Sequence, residues 1–268
     1  MKYNMLIIRV ITGVVGAILI CIVLFFGGKL VFFVLLLVVA FMAIGEYLRI
    51  ANLDLGRIVQ VVGAFVVGMT VMGNLELVYL LYMLSIVYLW VTRLFQRLDY
   101  KEMLVDLSLE TFGYSYLVLF LSSIGFLAAS EYGILWVGYL LSSVWGSDAM
   151  AFLIGRFFGR RPLTAVSPSK TWEGCFGGIV AAVLVSVLFF KVFMGFLDIN
   201  KYTVVMLGVC MAILGILGDL FESFIKRAFG TKDSGRILPG HGGILDRLDS
   251  LLFSAPVLFG FRIYVIGK

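Results

Sequence analysis

The residues of this chain with the richest chemistry lie in one stretch, Ser223–Asp249, hereafter the signature segment, which reads SFIKRAFGTKDSGRILPGHGGILDRLD. Long apolar runs flank it on both sides. Ammonium and guanidinium groups bind phosphate oxygens, and carboxylates bind hard cations such as Mg²⁺. Such groups at the end of an apolar run predict chemistry on the phosphate of a lipid head group. The charged and titratable residues of the segment are Lys226, Arg227, Lys232, Asp233, Arg236, His241, Asp246, Arg247 and Asp249.

Three polar residues around the start of this segment have helical spacing. Asp219, Ser223 and Lys226 stand at i, i+4 and i+7, so a helix that continues into the segment carries all three on one face. A carboxylate, a hydroxyl and an ammonium on one stripe could bind a metal ion and two phosphate groups. The alternative is a surface pairing of Asp and Lys at the membrane edge, although an acid at the end of a lipid-embedded run is costly and usually functional.

Two further carboxylates, Asp246 and Asp249, open the last apolar run. Acids at a helix N-terminus can simply cap backbone N–H groups. Magnesium, however, prefers oxygen ligands, often one or two carboxylates together with substrate phosphates. Asp219 and Asp246 are therefore the first choice as Mg²⁺ ligands, and a second cation is left open.

A second polar motif, SPSKTWEG at Ser167–Gly174, hereafter the upstream motif, precedes the seventh apolar run. Lys170 and Thr171 supply an ammonium and a hydroxyl. Trp172 offers a face for a base, and Glu173 can orient a cation. The alternative for this motif is a proline turn followed by a helix start.

Composition indicates the setting of these groups. Hydrophobic residues make up 62% of the chain and charged residues 14%, whereas a soluble domain is about 45–50% apolar and about 25% charged. The apolar runs are long and continuous, as transmembrane helices of roughly 20 residues require. The sequence therefore predicts an all-α, polytopic membrane protein of about nine transmembrane helices. The expected spans are Val10–Gly27, Leu30–Ile44, Ile58–Gly73, Leu77–Val91, Tyr114–Ala129, Ile134–Phe157, Cys175–Leu197, Tyr202–Leu220 and Ser250–Ile266.

Basic residues predict the orientation of these spans. Most of the 21 Lys and Arg residues precede span one or follow spans two, four, six and eight, and the opposite connections hold little beyond Lys29 and Lys201. The positive-inside rule therefore places the N-terminus in the cytoplasm and the C-terminus outside. The charged, mildly amphipathic loop 92–113 is expected to form a separate surface helix at the head groups.

Two longer connections, 156–174 and 221–249, carry the motifs and face the cytoplasm in this topology. The chain is accordingly divided into a transmembrane scaffold, residues 1–113, and a transmembrane catalytic region, residues 114–268. A bacterial inner-membrane location with the active site on the cytoplasmic side is expected.

The spacing S-x-I-K-R-x4-K-D-x-G-x2-L-P-x-H-G-G-I-x-D-R-L-D in the signature segment resembles the signature of phosphatidate cytidylyltransferases (CDP-diacylglycerol synthases), without a mismatch. The upstream motif is similar to the S-P-x-K-T-x-E-G element of the same family. So many fixed positions are far more specific than a lone glycine motif. One departure concerns Asp148, an intramembrane acid: the family often has a hydroxyl residue next and a Tyr four positions on, where this chain has Ala149 and Phe152.

The resemblance implies transfer of a cytidylyl group from CTP to phosphatidic acid at the cytosolic membrane face, with Mg²⁺, giving CDP-diacylglycerol and pyrophosphate. The expected partners are thus CTP, phosphatidic acid and membrane lipid but no nucleic acid, and a homodimer is left open. Glycines around Pro239 and His241 could let backbone N–H groups cradle a triphosphate. The residues assigned to catalysis are Asp148, Lys170, Ser223, Lys226 and Asp249. Those assigned to substrate binding are Ser167, Thr171, Trp172, Glu173, Arg227, Lys232, Asp233, Arg236, His241, Gly242, Gly243 and Arg247.

Two alternatives belong to other reactions or another class of protein. A CTP-dependent polyprenol kinase, or a cytidylyltransferase for another lipid phosphate, would share the membrane setting and the nucleotide. An ion-coupled transporter could line its path with Asp148 and Asp219. Transporters of that kind often show broken helices in paired repeats, and no convincing repeat is found in the sequence.

Overall fold

The computed structural model describes residues 16, 20, 22–23, 26–53, 57–95, 99–235, 237 and 242–267. The elements described within these ranges are helices, and an isolated β-bridge joins Pro162 and Thr171. A 3₁₀ turn, Thr70–Met72, follows the second helix, and a π-helical turn, Arg262–Ile266, ends the last. The helices are α1 Gly28–Ile50, α2 Arg57–Met69, α3 Leu75–Leu94, α4 Tyr100–Ala129, α5 Gly133–Phe158, α6 Trp172–Phe193, α7 Lys201–Ala228 and α8 Leu245–Phe261.

Seven of these helices, all except α2, are long and apolar enough to cross a membrane, α8 together with its π-helical end. Large apolar side chains such as Leu30, Leu94 and Phe176 are exposed on their surfaces. Lipid tails can cover such side chains, and a helix satisfies its own backbone hydrogen bonds without water. The prediction of an all-α, polytopic membrane protein is confirmed.

The predicted count of nine spans stays a prediction. The expected first span, Val10–Gly27, lies largely outside the described residues. The expected third span corresponds to α2 and its 3₁₀ turn, which together form a shorter apolar helix over Arg57–Met72. The side of the membrane on which the N-terminus lies also stays a prediction.

The predicted surface helix in the loop 92–113 is wrong. Helix α3 runs on to Leu94, and α4 begins at Tyr100 and continues for 30 residues to Ala129. Asp99 caps its N-terminus by accepting a hydrogen bond from the Lys101 backbone N–H at 3.1 Å. No proline interrupts the sequence from there to Ala129, so the charged half extends the apolar span instead of forming an element of its own.

Two expected loops are also shorter than the charge pattern indicates. Helix α7 continues to Ala228 and α8 begins at Leu245, so the connection expected over 221–249 covers only 229–244. Helices α5 and α6 likewise leave 159–171 as the connection that contains most of the upstream motif. These charged residues lie in the end turns of helices. A transmembrane helix can extend past the apolar core of the bilayer, so charge does not end it.

The described chain forms two compact units. The first comprises residues up to Ser130 together with Asp233–Asp246, and the second comprises Glu131–Lys232 and residues from Arg247 onward. These units are defined by packing. The predicted division into a scaffold and a catalytic region at residue 113 concerns function and stays a prediction.

In the first unit, α1 packs on α2 and α4, and α2 packs on α3 and α4. The Tyr47 hydroxyl of α1 donates a hydrogen bond to the Leu109 carbonyl of α4 at 2.9 Å. Arg93 of α3 forms a buried ion pair with Glu110 of α4, with Nε 2.8 Å from Oε2. Polar contacts therefore join helices whose remaining surfaces are apolar.

Gly113 allows α4 to pass close to α1, because a Cβ at this position would overlap the ring of Tyr47. We expect Gly113→Ala to lower the free energy of unfolding, since overpacking costs about 1–3 kcal/mol and outweighs a gain of about 1 kcal/mol in helix propensity. Gly260→Ala in α8 is the matched control, because a Cβ there meets no atom within 4 Å. Thermal unfolding in detergent should show a lower Tm for the first variant only. Equal Tm values for the two variants would contradict the close approach.

In the second unit, α6 packs on α5 and on α7, and α5 also packs on α7. Small residues permit these contacts, as is usual between transmembrane helices. A Cβ at Gly177 of α6 would overlap Ile154 of α5, and a Cβ at Gly208 of α7 would lie 2.9 Å from Val183 of α6. This packing holds the polar residues of α5 and α7 in place.

Candidate active site

Three carboxylates in the second unit come from three helices: Asp148 from α5, Asp219 from α7 and Asp249 from α8. Each of the three carboxylates is close enough to the other two for a Coulomb interaction between them. Gly218 permits the approach of α7 and α8, because a Cβ there would overlap the Asp249 carbonyl oxygen. Like charges gathered inside a membrane protein need cations or hydrogen-bond donors nearby.

Lys170 of the upstream motif is one of these cations. Its Nζ lies 2.5 Å from Oδ2 of Asp219. Both side chains are partly exposed, at 21% and 29%, so the pair is open to an incoming group. The structure thus brings the upstream motif to the carboxylate that precedes the signature segment. Lys170 and Asp219 are 49 positions apart in the sequence.

Ser250 is a site residue that the sequence analysis missed. Its hydroxyl lies 2.7 Å from Oδ2 of Asp148 and 3.2 Å from Oδ1 of Asp249, and its backbone N–H donates to the same Asp249 oxygen at 2.8 Å. A hydroxyl has one proton to donate, so it serves one carboxylate at a time. A serine inside an apolar run carries no signal of this role in the sequence.

The predicted stripe on α7 is present, because the helix continues through all three residues to Ala228. The Ser223 hydroxyl donates to Oδ1 of Asp219 at 3.4 Å. Lys226 is buried, and its Nζ lies 2.9 Å from Oε1 of Glu222, which is itself fully buried. Lys226 also lies within electrostatic range of Asp249. Glu222 is a second residue that the sequence analysis did not single out.

The rest of the upstream motif shapes the start of α6. Thr171 is the N-cap, and its hydroxyl oxygen accepts a hydrogen bond from the Gly174 N–H at 3.1 Å. Glu173 accepts from the backbone N–H groups of Arg160 and Arg161 at 3.1 and 3.4 Å. Thr171 and Glu173 therefore have the structural role that the alternative predicted, a turn followed by a helix start. Trp172 is 62% exposed. The Ser167 carbonyl accepts from the Lys170 N–H and closes the turn that presents Lys170.

Three of the predicted phosphate-binding cations of the signature segment lie on the surface of the second unit, unlike the buried Lys226. Arg227, Lys232 and Arg247 are exposed, and the Arg227 guanidinium donates to the Thr231 carbonyl at 3.2 Å. Arg236 and His241 lie outside the described residues, so their predicted roles stay predictions.

The remaining predicted residues belong to the first unit. Asp233 is exposed, and Asp246 holds a tight turn through one oxygen. That oxygen, Oδ2, accepts hydrogen bonds from the Ser234 N–H at 2.9 Å and the Gly243 N–H at 2.8 Å, and it lies 2.9 Å from the Ser234 hydroxyl. Gly242 has a left-handed φ of 81°, which favours glycine. Asp246 therefore binds backbone N–H groups, the alternative that its position at a helix start left open, and its assignment to a metal stays a prediction.

The donor chemistry of the second unit fits a magnesium ion. Carboxylate oxygens are the ligands that Mg²⁺ prefers, and substrate phosphates usually complete its coordination. Among the residues whose placement is described, no three His, Cys, Asp or Glu side chains form a ready-made metal cluster. A cation at Asp148, Asp219 and Asp249 would accordingly depend on oxygens supplied by the substrate.

Comparisons with known proteins show the family of this chain. The profile of the Cytidylyltransferase family matches residues 7–265. A phosphatidate cytidylyltransferase of Bacillus subtilis is 31% identical over 265 residues, which cover 94% of this chain and 95% of the relative. The chain therefore belongs to the cytidylyltransferase family.

Two further relatives are more similar over a shorter region. The chain is 43% identical over 136 residues to a phosphatidate cytidylyltransferase of Staphylococcus haemolyticus, covering 50% of this chain and 51% of the relative. It is 46% identical over 125 residues to one of Helicobacter pylori, covering 47% of this chain and 46% of the relative. These alignments span about half the length of each relative.

Proposed function

We propose that this membrane protein transfers the cytidylyl group of CTP to phosphatidic acid and releases pyrophosphate. The observation that carries the proposal is the ion pair between Lys170 and Asp219, beside Asp148 and Asp249. It joins the upstream motif to α7, the helix that carries the start of the signature segment, and both motifs resemble those of phosphatidate cytidylyltransferases, the name that the three relatives bear. Apolar helices around this group suit a lipid substrate.

The reaction needs no strong general base. The phosphate of phosphatidic acid has a second pKa of about 6 by analogy with phosphoserine, so it is largely dianionic near neutral pH. One of its oxygens attacks the α-phosphorus of CTP, the bond from that phosphorus to the β-bridging oxygen breaks, and pyrophosphate leaves with the electron pair. Catalysis is then mainly positioning and charge stabilisation.

The charged residues of the second unit suit these two tasks. The ammonium groups of Lys170 and Lys226 would bind phosphate oxygens and offset the charge on the leaving pyrophosphate. Asp148, Asp219 and Asp249 would hold Mg²⁺, which when bound neutralises the charge of the triphosphate. Ser250 would keep Asp148 in place through its hydroxyl and Asp249 through its backbone N–H.

An assay with purified protein tests the proposed function. Labelled CTP is supplied with phosphatidic acid, with another lipid phosphate or with a polyprenol, each with and without Mg²⁺, and lipid products are separated by thin-layer chromatography. We expect a CDP-lipid from phosphatidic acid that requires Mg²⁺. A phosphorylated polyprenol would favour the kinase, and the absence of every labelled lipid product would contradict nucleotide transfer.

The active site is proposed to face the cytoplasm, and the ends of α7 allow a direct test. Its 28 residues extend for about 42 Å at about 1.5 Å per residue, enough to cross the bilayer. We expect that, in a variant without native cysteines, an impermeant thiol reagent labels Lys201→Cys from outside the cell and Lys232→Cys only from the cytoplasmic side. Both positions are exposed. Labelling of Lys232→Cys from the outside alone would overturn this orientation.

A further inference from the structure

Glu46 is a carboxylate that the sequence analysis did not assign and that no step of the proposed reaction uses. It lies in α1, between Gly45 and Tyr47, and its side chain is fully buried in the first unit. Burial of an ionised carboxylate is costly unless donors surround it. Its surroundings therefore indicate why an acid stands there.

Both oxygens of Glu46 accept hydrogen bonds from the signature segment. Oε1 accepts from the Ile244 N–H at 3.0 Å. Oε2 accepts from the Leu245 N–H at 2.9 Å and lies 2.8 Å from the Ser234 hydroxyl, whose single proton serves either this oxygen or Asp246. Leu245 is the first residue of α8, so the carboxylate also meets N–H groups at the positive end of a helix.

Glycines let the backbone of the segment come this close. A Cβ at Gly235 would lie 2.6 Å from Oε1 of Glu46, and a Cβ at Gly243 would overlap Oε2 and the Ser234 hydroxyl. The same hydroxyl lies 2.9 Å from Oδ2 of Asp246. Glu46 and Asp246 therefore share Ser234 and bind the same turn from two sides.

These contacts hold the two ends of one loop. Ser234 and Gly235 lie at its start, and Gly243, Ile244 and Leu245 lie at its end. The residues between them include Arg236 and His241, which are assigned to the substrate. Residues that are already fixed before a ligand arrives lower the conformational entropy that binding costs.

We propose that Glu46 is a positioning residue that holds Ser234, Ile244 and Leu245 together, and that the use of the nucleotide depends on this anchor. The assignment of the nucleotide rests on the proposed function, whereas the anchoring itself does not. In this proposal Glu46 acts through the residues that it anchors.

Glu46→Gln is the sharpest test of the anchor. The variant keeps the shape of the side chain but replaces one acceptor oxygen by an NH₂ group, which would face a donor N–H of Ile244 or Leu245. The matched control is Glu110→Gln, which also removes a buried carboxylate from the first unit but breaks the pair with Arg93.

Hydrogen exchange of the Ile244 and Leu245 amides measures the anchor directly, because both amides donate to Glu46. We expect Glu46→Gln to speed their exchange by about tenfold or more, as the loss of a hydrogen bond to a charged group predicts, and Glu110→Gln to leave it unchanged. Ser234→Ala should also speed the exchange, which keeps the test available if Glu46→Gln does not fold. Unchanged exchange in both Glu46→Gln and Ser234→Ala would overturn the anchor.

Steady-state kinetics with CTP, Mg²⁺ and phosphatidic acid then separate positioning from mere stability. We expect Glu46→Gln to lower kcat/KM for CTP at least about tenfold at a temperature where the protein remains folded. Combination with Ser234→Ala should add little further loss, because the two residues share one contact. Equal losses in Glu46→Gln and Glu110→Gln would overturn the positioning role. A wild-type protein that makes no CDP-lipid would overturn the proposed function instead and would leave the exchange result intact.

Discussion

We expect Asp219→Ala to lower CDP-lipid formation by about 10²- to 10³-fold, the loss typical when a preorganised charge-stabilising group is removed from an active site. The carboxylate binds the Lys170 ammonium and lies within range of Asp148. Its removal would take away a predicted Mg²⁺ ligand and leave Lys170 without the partner that orients it. Initial rates at saturating CTP and Mg²⁺ measure the effect.

Asp198→Ala is the matched control for this variant. Asp198 lies in the same unit, in the connection between α6 and α7, and is exposed. The Asp198→Ala variant should keep a near-normal rate. Both variants should retain the helical content and the elution volume of the wild-type protein in detergent. A near-normal rate for Asp219→Ala at ordinary Mg²⁺ concentration would mean that this carboxylate is not an essential ligand.

The membrane architecture was predictable because the apolar runs are long and continuous. Helix α5 matches its expected span to within one residue at each end. The ends of α4 and α7 were not predictable from hydropathy, because their charged turns extend a helix beyond its apolar core. Capping of α4 by Asp99 and the uninterrupted helix through Lys226 were therefore the features that hydropathy could not reveal.

Part of the candidate site was predictable from spacing and charge. Asp219, Ser223 and Lys226 lie on one helix at fixed intervals, so their common face follows from helical geometry alone. The contact of Lys170 with Asp219 was not predicted from the sequence, because it depends on how separate helices pack. Ser250 and Glu46 gave no signal, since a serine in an apolar run and an acid before an arginine-containing turn are both common in other settings. Their roles come from neighbours that are distant in the sequence.

The structure also changes how the predicted cations must be tested. Lys226 is buried beside the fully buried Glu222, so Lys226→Ala alone would remove the ammonium from an interior carboxylate. Such a change can destabilise a protein by several kcal/mol regardless of catalysis. Glu222→Gln removes that charge and supplies a background in which Lys226 can be replaced with less effect on folding.

Lys170→Ala and Lys226→Ala, both made in the Glu222→Gln background, should each lower catalytic efficiency by roughly 10- to 150-fold. The reason is that a hydrogen bond from a charged donor to phosphate is worth about 1.5–3 kcal/mol. Because both ammonium groups lie near the same group of carboxylates, we expect them to act on one bound phosphate chain. The loss in the double variant should then differ from the product of the single losses.

Kinetics of the two single variants, the double variant and Lys191→Ala complete this test. Lys191 is an exposed cation in the last turn of α6 and serves as the control for a general loss of positive charge. Its replacement should leave kcat/KM for CTP unchanged. If both Lys170→Ala and Lys226→Ala also keep their efficiency, these cations serve only topology and helix pairing. Independent, multiplicative losses would instead mean that they bind separate phosphates, for example one on CTP and one on the lipid.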